Sequence, residues 1–141
     1  MMTATDIFVQ RLETAASLPA LLAAGWESFD FIARTTPGYD DPDDGPRGFA
    51  FLLATAAASR GRNALGYAPS LPDDDADTES EIEALGDEAQ AAACLSDLAT
   101  VIHRRLTEAC SMTLGDDDRR ACEAAVAAAA EVHTMLAGDD P

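Results

Sequence analysis

The sequence predicts an all-α protein: an up-down-up-down four-helix bundle with a short extra helix at its N-terminus. Three observations predict this fold. Apolar residues recur at helical spacing in four main segments, and no segment shows the alternation of β-branched residues expected of a strand. Thirty of the 141 residues are alanine, which has the best helix propensity and adds little to a sheet. The connections read as short or moderate, which favours antiparallel neighbours. The length suits a single helical domain over residues 1–141, with a core that needs neither disulfide nor structural metal.

The elements follow in order. A leading helix over about 5–16 carries Phe8, Leu12 and Ala15 on one side. Ser17 is the expected N-cap of the next helix, 18–35, with Pro19 in its first turn. Leu18, Leu22, Gly25, Phe29 and Ile32 form its stripe, with Leu21 and Trp26 beside it. The second bundle helix, 46–65, is expected to turn Phe49, Leu52, Leu53 and Ala56 inward. Residues 66–77 read as an acidic linker by their Gly, Pro and Asp content. The third helix, 78–112, opens at Thr78 or Ser80, each with a glutamate three residues on as in a capping box. Its stripe is Ile82, Leu85, Ala89, Ala92, Leu95, Ala99, Ile102, Leu106 and Ala109. Gly115 ends it. The fourth helix, 116–137, places Cys122, Val126, Ala129, His133 and Leu136 on a heptad-like seam.

Charge narrows the partners. The formal net charge is −17, with nine arginines and no lysine. A protein that must neutralise phosphates with basic side chains is therefore disfavoured, so no direct nucleic-acid contact is expected. An anionic membrane surface is disfavoured likewise, and no stretch is apolar enough to span a bilayer. The first thirteen residues contain acidic side chains and no apolar run, unlike a secretory signal. Three cysteines, Cys94, Cys110 and Cys122, are an odd number set in helices and read as reduced small hydrophobes, which points to the cytoplasm.

Candidate chemistry centres on carboxylates. In an up-down bundle Asp40, Asp41, Asp43 and Asp44 share an end with Asp116, Asp117 and Asp118, and Asp73 to Asp75 lie at the other. Seven such carboxylates could hold Mg²⁺ or Ca²⁺, both of which prefer oxygen ligands. As an EF-hand the first run fails, because Gly45 in sixth place puts Pro42 third and Phe51 twelfth. The string "DDPDDGPRG" resembles the aspartate-rich motif of isoprenoid diphosphate synthases over about nine residues, but no second such motif follows and the chain is far shorter than that fold. Each acidic run also precedes a predicted helix, where Asp caps and negative charge favours the macrodipole. That reading needs no bound cofactor or metal.

Other groupings are weaker. Glu27 and Asp30 in "WESFD" share a helix face and resemble one half of the ExxE plus ExxD signature of MazG-type nucleotide pyrophosphohydrolases; the other half does not appear at a suitable spacing. His103 and His133 differ by about 9 Å along an antiparallel hairpin, and neither has a glutamate three residues before it, as a ferritin-like site requires. Arg60 and Arg62 read as favourable C-terminal charges, or together as a grip on an anion. No G-x-S-x-G elbow or Gly-rich phosphate loop is present.

Interaction surfaces say more. Phe8, Trp26, Phe29 and Phe49 are expected to fill the core. Phe31 and Phe51 lie about 200° from Phe29 and Phe49 around the helix. They are either covered by the leading helix or exposed as a patch. With Trp26 they are the expected interface residues of a small acidic protein that works by protein–protein binding, as a regulatory or accessory subunit and a homodimer. A metal-dependent hydrolase or metal-binding bundle on the Asp-rich loop is the alternative. A second alternative is an acidic decoy of a nucleic-acid-binding surface.

Overall fold

The computed structural model describes residues 4–39, 46–71, 88–113 and 115–137. Among them are five α-helices and no strand: α1 (Ala4–Thr14), α2 (Leu18–Thr35), α3 (Pro46–Gly66), α4 (Glu88–Met112) and α5 (Asp116–Leu136), with a 3₁₀ turn, Thr36–Tyr39, after α2. The Asp40 to Asp44 run, Asp73 to Asp75, the capping-box residues, Ile82 and Leu85 lie outside the described residues.

Local signals hold where they are strong. Ser17 has extended backbone and its Oγ accepts from the Ala20 N–H, with proline in the first turn of α2 as expected. Gly115 stands before α5 in extended backbone, and Asp116, Asp117 and Asp118 fill its first turn, where negative charge meets the exposed helix N–H groups.

Cross-helix bonds fix the helix directions. Asp30 pairs with Arg62, and the Thr36 and Thr55 hydroxyls bond each other, so α2 and α3 are antiparallel. Arg60 reaches Glu131 while Ser70 meets Asp118, so α3 and α5 are antiparallel. Ser96 meets His133 near one end of the α4–α5 pair, and Cys110 meets Cys122 near the other. It follows that α3 and α4 run the same way, and the four helices read up, down, down, up. This corrects the expected strict alternation. The physical reason is the connection: 21 residues separate Gly66 from Glu88, a reach of about 70 Å when extended, against a helix length of about 32 Å for α3.

The packing order around the bundle is α2, α3, α5, α4, and α1 lies against α2 and α4. The Arg105 side chain secures that fifth helix by donating to the Leu12 and Ala15 carbonyls, 2.9 and 2.6 Å away, which satisfies acceptors left open at a helix end. Arg104 pairs with Glu13 alongside.

The core departs from expectation in three places. On α3, Phe49, Leu52 and Ala56 are exposed and Leu53 is half-buried; Phe51, Ala54, Ala57, Ala58 and Leu65 face inward instead. On α5 the buried seam is Cys122, Ala125, Ala129, Val132 and Leu136, so Val126 and His133 give way to residues one position earlier. On α4, Ala89 is exposed, while Leu98 and Ala91 join the expected stripe. Leu95, Leu98, Ile102 and Leu106 give this half its own bulk, so the aromatics fill chiefly the α1–α2–α3 side.

Candidate functional site

The rotation of α3 follows from one of its glycines, which faces α2 at close range. Gly61 faces the Phe29 ring so closely that a Cβ there would sit 2.6 Å from two ring carbons. With Gly61 against α2, residues 54, 58 and 65 share its side by helical spacing, and position 52 points the opposite way. Close approach at Gly61 thus turns Ala54, Ala58 and Leu65 inward, with Phe51 on the same buried side, and leaves Phe49, Leu52 and Ala56 outside. Phe49 is 59% exposed and Leu52 50% exposed, with Ala56 one turn further on the same face. Three apolar residues spaced by three and four, unpartnered among the described residues, make this outer face of α3 the candidate site.

Phe31 and Phe51 are not on that surface. Phe31 packs against Phe8 of the leading helix with ring centroids 4.8 Å apart. Phe51 stacks on Tyr39 at 5.2 Å and is fully buried. Of the two positions left open by the sequence, leading-helix cover holds for Phe31, and the turn after α2 covers Phe51. Trp26 is half-buried against the core. Its neighbour Gly25 lies at the level of Leu65, about 24 Å along α3 from Phe49, so Trp26 does not extend the Phe49–Leu52 patch.

Of the carboxylates expected to converge, Asp40, Asp41, Asp43 and Asp44 lie outside the described residues. Asp118 is buried and already used: Oδ1 accepts from the Ser70 N–H at 3.0 Å and Oδ2 from the Ser70 hydroxyl at 2.6 Å. This holds the chain beyond α3 against the start of α5. Asp116 and Asp117 are exposed beside it. The antiparallel arrangement of α3 and α5 places this start of α5 beside the end of α3. Among the described residues no group of three His, Cys, Asp or Glu side chains is placed to hold a metal ion.

Other polar groups are tied within the chain. Asp30 is buried between Arg62 and Arg34, at 2.9 and 3.0 Å. Glu27 accepts from Arg11 at 2.9 Å. Arg60 and Arg62 diverge to α5 and α2 rather than framing one anion. His133 is exposed, with Nδ1 2.9 Å from Ser96 Oγ and 3.1 Å from Thr100 Oγ1 across the α4–α5 contact. His103 lies on an exposed position of α4.

All three cysteines are free. The Cys110 and Cys122 thiols lie close enough across the hairpin to influence each other's titration. Burial pushes the Cys122 thiol up to about 12, with Cys110 and the carboxylates of Asp118 and Glu123 adding to the effect. Burial also raises Cys110. Thiols held in this form are poor nucleophiles at neutral pH.

No described helix is long and apolar enough to cross a membrane. No family model, no curated protein and no solved structure matches this chain.

Proposed function

We propose that this chain is a small acidic helical protein that works in the cytoplasm by binding another protein, as an accessory or regulatory subunit. The observation that carries this reading is the outer face of α3, where Phe49, Leu52 and Ala56 stand in solvent on a helix whose opposite side is also apolar. A helix apolar on both sides is normally covered on both sides. Interface cores are likewise enriched in aromatic residues and depleted in charge. The polar groupings that suggested chemistry support the same reading, because Glu27, Asp30, Asp118, Arg60 and Arg62 hold the bundle together.

A photo-crosslinking amino acid at position 52, with a control at the exposed position 103 on α4, tests this directly. Protein adducts from position 52 and not from 103 are expected. Equal labelling at both, or none at 52, would contradict the reading.

A further inference from the structure

We infer that the occupant of the α3 outer face is a second copy of this chain, packed antiparallel about a two-fold axis near Leu52; this rests on the binding role proposed for that face. Three observations point to a copy. The first is charge. The chain carries 26 acidic residues, yet α3 contains none over its 21 positions, alone among the five helices. Two molecules that each bear −17 repel, and α3 is the helix along which they can approach without its own side chains adding carboxylates to the contact.

The second observation is shape. In a two-fold contact the same patch serves both subunits, so it must complement itself. An antiparallel crossing centred between positions 52 and 53 sets position 49 of one copy over position 56 of the other. The large Phe49 ring then meets the small Ala56, and Leu52 meets its own apolar counterpart near the axis. A parallel pairing would oppose Phe49 to Phe49 and Ala56 to Ala56, leaving bulk against bulk and a gap beside it.

The third is backbone polarity. Antiparallel helices bring the positive end of one macrodipole beside the negative end of the other, which a two-fold axis across α3 supplies. One helix face covers less than the roughly 1,200–2,000 Å² of a standard stable interface. The dimer is therefore concentration-dependent, and because screening relieves the repulsion it tightens as salt rises. A basic protein partner would show the reverse.

Light scattering over a concentration series at low and high salt, with thermal melts of each variant, tests this. The expected mass moves from one chain of 14.8 kDa toward two, further at high salt. Leu52→Asp abolishes the shift with an unchanged melt. Phe49→Ala and Ala56→Phe each weaken association at least tenfold, and the double swap, which restores large against small, recovers it. A wild-type monomer with a thermally neutral Leu52→Asp overturns the second copy but leaves the face free for a different protein. A monomer that Leu52→Asp destabilises strongly overturns both, since the face is then covered by its own chain. A dimer that survives Leu52→Asp, or weakens with salt, also overturns the proposed contact.

Discussion

Gly61 and Asp118 show how single residues set this structure through partners that are remote in sequence. A methyl group at Gly61 would collide with the Phe29 ring, which is itself fully buried and cannot swing away. Gly61→Ala is therefore expected to cost about 1–3 kcal/mol by overpacking, despite alanine's better helix propensity, as read from urea midpoints. Asp118→Ala removes the acceptor for both the Ser70 N–H and its hydroxyl. The expected loss is about 1–3 kcal/mol, and amide exchange at Ser70 should quicken. Ser17 could be recognised as a cap because its partner lies three residues away. Asp118 could not, since Ser70 lies 48 positions earlier, and a run of three aspartates suggests ligands as readily as a clamp.

At the scale of elements, all five helices were legible from period and punctuation, whereas the facing of α3 and α5 was not. Hydrophobic period identifies a helix, but α3 has two apolar stripes, one holding Phe49 and Leu52 and the other Phe51 and Leu65, and bulk does not choose between them. The interior takes the stripe that also carries Ala54, Ala58 and Gly61, because close helix approach is limited by the size of the facing side chains. On α5 an alanine run offers nearly equivalent seams, and Val132 rather than His133 fills the buried one. The α4–α5 hairpin also carries a pH dependence. The Cys122 thiol titrates at about 12 when folded against an ordinary 9.0, so folding favours the neutral form. Its stabilisation is whole below about pH 9 and is lost as pH rises toward 12. Wild-type melting temperature should fall more steeply from pH 9 to 11 than that of Cys122→Ala; matching slopes would exclude this thiol as the cause.

For the whole molecule, charge and class were readable from composition, but the path of the chain was not. Parallel α3 and α4 depend on a long connection whose route no local pattern encodes. The net charge of −17 loads the compact state with self-repulsion. Raising NaCl from about 20 to 300 mM shortens the screening length severalfold and should raise the melting temperature; a fall would show that specific ion pairs outweigh the net repulsion. Both the binding face and its proposed occupant depend on α3 turning Phe51 inward and Phe49 outward. Denaturant unfolding of Phe51→Ala and Phe49→Ala, at concentrations too low for association, measures that rotation most directly. Phe51→Ala should lose about 3–5 kcal/mol and Phe49→Ala no more than about 0.5 kcal/mol. Equal losses, or the larger loss at Phe49, would contradict it.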